Sequence, residues 1–187
     1  MTLLFLIELI VFTALLIPTL IAMIYGAPWV PTPDARVRRM LELGKLKPGD
    51  RIYDLGCGDG RIPHLAAKLY GADAVGFELS PMIYCWGRIR NFFLRSQSQL
   101  LFRDFRRMPM NDAKAVFFYL MPDTLKRLKQ KFAEELQPDA LIISYAFKIE
   151  GWEPVYIEPK NPEKNLSPIY LYQIPVSMYA HGNPAKT

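Results

Sequence analysis

"YDLGCGDGRI", Tyr53–Ile62, decides the fold. Glycines 56, 58 and 60 stand between an apolar run and a helix-like run. Glycine lets a backbone turn tightly and approach a ligand, because no Cβ stands in the way. A dinucleotide fingerprint would read G-x-G-x-x-G. Here the third glycine comes one position early, and Arg61 holds the place it should take. A P-loop is excluded, since no G-K-[ST] follows. Asp54 precedes the glycines and Asp59 lies among them. The two acids repel a pyrophosphate and attract a ligand with a cationic amino group. Asp59 also has a structural reading, as a carboxylate near a helix N-terminus.

Outward from this loop, strand-like and helix-like runs alternate. "DRIYDL", "ADAVGFEL", "QLLFRD", "KAVFFYL" and "ALIISYAF" read as strands. "RIPHLAAKLY", "SPMIYCWGRIRNFFLRS" and "PDTLKRLKQKFAEEL" read as helices. The second opens with a Ser80 cap and Pro81 at its first position. The third places Leu125, Leu128, Phe132 and Leu136 on one face. Such alternation predicts an α/β fold, Rossmann-like, with a parallel sheet covered on both faces. "EPVYIEP" and "IYLYQI" alternate as an antiparallel pair does, which predicts a hairpin added at one edge.

Ligands of open α/β sheets bind at the carboxyl ends of the strands. Glu78 ends the second strand, 24 residues after Asp54. An acid there accepts both hydroxyls of a ribose. Asp104 ends the third strand, where an acid accepts from an adenine amino group. One acid at a strand end is as often a cap. Three on successive strands, with the glycines, form a specific combination.

On these residues the sequence resembles the class I S-adenosylmethionine-dependent methyltransferases. "DLGCGDG" matches their first motif, Glu78 the ribose acid and Asp104 the adenine-side acid. The resemblance covers about residues 30 to 175. It implies a seven-stranded sheet with an antiparallel C-terminal strand and S-adenosyl-L-methionine as cofactor. The cofactor-binding residues it implies are Asp54, Gly56, Cys57, Gly58, Asp59, Gly60, Glu78, Leu79, Asp104, Phe105 and Tyr119. "WVPTP", "AVGFELSP" and "VFFYLMPDTLKRL" look like the small protein-lysine methyltransferases. That group includes an archaeal broad-specificity enzyme and mitochondrial membrane-anchored enzymes acting on the ATP synthase and the adenine nucleotide translocase. By this resemblance Thr32 lies near the methionine part of the cofactor. Tyr119 stands beside the methyl group, and the two are the candidate catalytic residues. "YLMP", Tyr119 to Pro122, lacks the (D/N)PP(Y/F) tetrad of enzymes that methylate nucleobase amines.

The chain has 187 residues and a net charge of +5. That excess suits anionic lipid, nucleic acid or an acidic protein face. Arginines 88, 90, 95, 103, 106 and 107 form a basic run. It reads as a solvated face or as a lipid contact, and it lacks the interleaved aromatics of a nucleic-acid stacking platform. Trp86 reads as helix packing, with contact to the sulfonium as the other option. Cys57 and Cys85 make no metal-spaced cluster with His64 or His181, so neither a metal site nor a disulfide framework is expected.

"LLFLIELIVFTALLIPTLIAMIY", Leu3 to Tyr25, is the second strong feature. As a helix it extends roughly 34 Å, against a hydrocarbon core of about 30 Å. Tyr25 and Trp29 sit where interfacial aromatics belong, and Arg36, Arg38 and Arg39 follow. The segment is read as a single transmembrane helix over 1–27, with a linker over 28–33. The methyltransferase domain over 34–178 then lies on the cytoplasmic side, and 179–187 form a tail. The resulting expectation is a membrane-anchored methyltransferase acting on protein lysines. Its alternatives are a lipid or lipophilic acceptor and a non-catalytic cofactor-binding module.

Overall fold

A computed structural model of the protein describes residues 3–25 and 30–176, the side chains of 18, 19 and 21–25 excepted. Tyr25 and Trp29 as interfacial aromatics, the start of the linker and the tail over 179–187 lie outside the described residues.

Seven strands form one sheet in the order β3-β2-β1-β4-β5-β7-β6. They are β1 Arg51–Leu55, β2 Asp73–Glu78, β3 Gln99–Phe102, β4 Ala115–Phe118, β5 Leu141–Tyr145, β6 Tyr156–Glu158 and β7 Ile169–Gln173. The first five pair in parallel, with Asp54 opposite Gly76 and Phe117 across the β1 ladders. β7 runs antiparallel to β5, and β6 completes the edge. The expected hairpin is therefore present, with its second strand inserted next to β5.

The helices are α1 Leu3–Tyr25, α2 Asp34–Leu43, α3 Arg61–Tyr70, α4 Pro81–Phe93 and α5 Pro122–Glu135. The central strands are apolar throughout because both faces are covered. On one face α5 buries Leu125, Leu128 and Phe132 against Phe118, Val116 and Ile142. On the other, α2 and α3 bury Val37, Met40, Ile62 and Ala66 against Ile52, Phe117 and Ile143. α4 covers β2 and β3 with little apolar burial of its own. Its first turn holds Pro81 as expected, but the Ser80 side chain does not cap it.

The expectation of a transmembrane helix at the N-terminus is corrected. α1 forms, but among the described residues no helix is long and apolar enough to cross a membrane. Glu8 lies inside the first two turns of α1. α1 meets α4 of the sheet domain. The single-pass placement, the cytoplasmic side and the lipid partner drawn from this segment fall with it.

Candidate active site

The carboxyl ends of β1, β2 and β4 and the glycine loop form one acid-rich corner. Gly60 takes φ +75, and a Cβ there would stand 2.8 Å from a Leu100 methyl. Only glycine meets both demands. Within β2, a Cβ on Gly76 would lie 2.7 Å from the Cys57 sulfur, so the buried Cys57 thiol needs that gap. An isolated glycine inside a strand marks a close backbone approach, and this signal was present in "AVGFEL".

Asp54, on β1, is 2 % exposed. Among the described residues no cation pairs with it. Burial first, then the charges of Asp59 and Glu78, push its carboxyl well above the usual carboxylate range. Glu78 is held by three backbone N–H groups. Gly58 donates to one oxygen at 3.0 Å, while Leu79 and Ser80 donate to the other at 2.9 and 2.8 Å. Burial raises its pKa and those donors oppose the rise. The Leu79 and Ser80 donors fix Glu78 at the start of α4.

Asp59 and Asp104 are placed differently. The Arg61 guanidinium grips Asp59 through Nε at 3.0 Å and Nη2 at 2.9 Å. Arg90 approaches the same carboxylate at 3.8 Å. Arg61 also donates to the Thr32 carbonyl at 2.8 Å. The residue that displaces the third fingerprint glycine thus ties the glycine loop to the segment before α2. Thr32 itself is buried. Asp104 lies two residues beyond β3 and caps a short 3-10 turn, Phe105–Arg107. Arg106 holds both its oxygens, at 2.7 to 3.0 Å. Burial acts to raise the Asp104 carboxyl, but these bonds outweigh it and hold it below the usual range. Phe105 is buried in the core beneath, and Leu79 stands half-buried beside Glu78.

Tyr119, just past β4, is half-buried against Tyr145 and Phe147. The ring centroids are 4.9 Å apart edge-to-face with Tyr145 and 6.2 Å apart, near-parallel, with Phe147. Burial pushes its phenol up. Phe147 carried no sequence signal, because it follows β5 in a turn where Ala146 takes φ +70. Ala146 donates to the Pro168 carbonyl at 2.9 Å, and Ser167 donates to the Tyr145 hydroxyl at 3.2 Å. The segment before β7 therefore closes on this aromatic group. Trp86 stands 53 % exposed on α4.

The family model of the ANTKMT methyltransferase domain matches residues 54–156, from the buried acid to the start of β6. The chain belongs to this family. It is an S-adenosylmethionine-dependent methyltransferase, as the glycine loop and its acids imply. A protein-lysine N-methyltransferase of Saccharolobus islandicus is 34% identical over 150 residues, 79% of this chain and 93% of that protein. An adenine nucleotide translocase lysine N-methyltransferase of Mus musculus is 29% identical over 132 residues, 70% of this chain. The match spans 57% of that relative's length. A solved structure of an RNA methyltransferase from Salinibacter ruber, in complex with S-adenosyl-L-homocysteine, superposes with a TM-score of 0.72. It is 30% identical and covers 84% of this chain and 98% of its own.

The corner fits this cofactor on its own chemistry. A buried carboxylate without a cation is costly, and S-adenosylmethionine carries both an ammonium and a sulfonium. Glu78 is fixed by three backbone donors and keeps acceptor capacity for a hydroxyl-bearing group.

Proposed function

We propose that this methyltransferase acts on lysine side chains of a protein. The observation that carries the reading is the aromatic group at the ends of β4 and β5, beside the acid-rich corner. When bound, S-adenosylmethionine supplies a methyl group activated on a sulfonium. Asp54 holds the cofactor's cationic end, and Glu78 holds its ribose. Asp59 acts through Arg61, fixing the loop and Thr32 rather than meeting the ligand. Asp104 is saturated by Arg106, so the adenine is held by the loop around Phe105 more than by the Asp104 carboxylate.

Tyr119 and Phe147 present ring faces to an arriving ammonium, which aromatic quadrupoles attract. The same rings exclude water, and burial favours the neutral amine that a methyl acceptor needs. The ammonium's proton passes to bulk water before the amine is enclosed, so no base is required at the transfer step itself, and alignment in a dry site supplies most of the rate. The lysine methyltransferases among the relatives support this acceptor. The Salinibacter ruber structure favours a second reading, an RNA acceptor, although "YLMP" lacks the nucleobase tetrad.

The test is transfer of labelled methyl from the cofactor to a cell extract split into protein, RNA and lipid fractions. Label on protein, located at lysine by mass spectrometry, is expected. Label confined to RNA, or to the organic phase, would remove the lysine assignment.

A further inference from the structure

A second recess, about 280 Å³, lies between α3 and the turn that follows α4. His64, Lys68, Arg95, Ser96 and Gln97 supply its polar lining, and no carboxylate takes part. His64 is 6 % exposed, and its Nδ1 has no hydrogen-bond partner among the described residues. Arg90 stands close enough to act on its charge. The Nε of Arg90 faces Asp59, while its buried Nη1 is likewise without a partner among the described residues. Buried polar atoms are normally satisfied, and of these two side chains His64 lines the recess.

The mouth of the recess is built. α4 ends in a Schellman motif, with Ser96 N–H donating to the Asn91 carbonyl at 2.9 Å and Arg95 N–H to the Phe92 carbonyl at 3.1 Å. The left-handed position of that motif is normally glycine. Here it is Arg95, at φ 48, a conformation that strains an L side chain. Asn91 donates to the Ser98 hydroxyl at 3.1 Å, and the Ser96 and Ser98 hydroxyls lie 2.9 Å apart. A local rule is broken to keep a cation at the lip of a pinned turn.

We propose that this recess binds a phosphate group. Lys68 and Arg95 hold it at the mouth, and the His64 imidazole lies at the floor. The ligand is a free phosphate compound or a phospholipid headgroup. Phe92 and Phe93, each 77 % exposed beside the mouth, suit the second source.

The chain has two histidines, His64 and His181, so imidazole NMR reports on the site directly. Without ligand, burial first, then Arg90 and Lys68, hold His64 below the ordinary histidine value. An anion in the recess beside His64 opposes them, so inorganic phosphate is expected to raise the His64 pKa by about one unit, while His181 does not move. Chloride at equal ionic strength gives the reference. A His64 shift equal in phosphate and chloride overturns the proposal. The double substitution Lys68→Gln, Arg95→Gln is expected to abolish the phosphate response and leave the cofactor-dependent methyl transfer rate within about twofold. A retained response in that variant also overturns it. Sedimentation with vesicles containing phosphatidylglycerol, lost in the double variant, assigns the site to headgroups. A His64 response without variant-sensitive sedimentation assigns it to a free phosphate.

Discussion

The half of the sheet around β1 and β2 and the half around β5 and β7 hold their sites by different means. In the first, the acids are gripped mainly by near neighbours: Glu78 binds the N–H groups of its own next two residues and Asp59 binds Arg61, with Gly58 and Arg90 as the longer-range partners. In the second, residues far apart in sequence converge. Arg36 of α2, 4 % exposed, donates to the Pro159 carbonyl at 2.9 Å and approaches Glu158 at 3.9 Å. Those contacts pin the segment that closes on Tyr145 and Phe147. A cofactor common to many enzymes is served by a compact local device. On the proposed function the second half is the acceptor side, and its assembly from separate segments lets it vary without disturbing the glycine loop.

The sharpest way to break this contrast is Asp54→Asn. Removing a buried charge that meets a cationic ligand costs about 3 kcal/mol, so cofactor affinity by calorimetry is expected to fall about 100-fold. The cofactor-free protein should gain stability, because the buried acid has no partner there. The sign follows from linkage. A raised carboxyl pKa means that the folded state binds more protons, so stability falls as pH rises from the unfolded value toward the folded one. Asp54 and Glu78 both shift that way. Thermal melts of the cofactor-free protein should show this decline, and Asp54→Asn should flatten it. Unchanged cofactor affinity in Asp54→Asn would remove the corner from the cofactor site.

Arg36→Ala tests the other half. Losing a buried guanidinium and its carbonyl partners is expected to cost about 2 kcal/mol, read by denaturant unfolding. Hydrogen exchange should rise in residues 159–168 and stay unchanged in the glycine loop. Equal deprotection of both would show that the halves are not independent.

The same local and non-local division decides what the sequence made legible. The glycine loop, Glu78 and the alternation of strands and helices were readable because their logic lies within a few consecutive residues. The roles of Asp59 and Asp104 were not, since each is occupied by an arginine two residues on, and spacing alone does not reveal which acid a guanidinium grips. Arg36, Phe147 and the recess at His64 depend on contacts across the chain that no motif records. The N-terminal helix shows the opposite hazard. Its apolar run gave the right secondary structure and an unsupported membrane placement, because hydropathy reports what a helix avoids and not where it lies.

Phe147→Ala sharpens the comparison at smaller scale. Loss of one ring from the wall is worth about 1 kcal/mol, so KM for a protein acceptor should rise about fivefold with cofactor affinity unchanged. A matching loss of cofactor affinity would place Phe147 on the cofactor instead.

The smallest expected effect separates two arginines that reach one acid. Arg39 donates to Glu158 at 2.9 Å, but it is 37 % exposed, whereas Arg36 is buried. The Tyr156 hydroxyl first, and then Arg39, hold the Glu158 carboxyl below its ordinary value. Its contribution is therefore present above the unfolded pKa and lost as pH falls through the lowered one. Solvent screening limits an exposed pair to about 0.5 kcal/mol. Arg39→Gln should lower stability by that amount at low salt and by less at high salt, whereas the Arg36→Ala loss should persist in salt. If both losses vanish together in salt, the acceptor half is held by surface charge and not by the buried arginine.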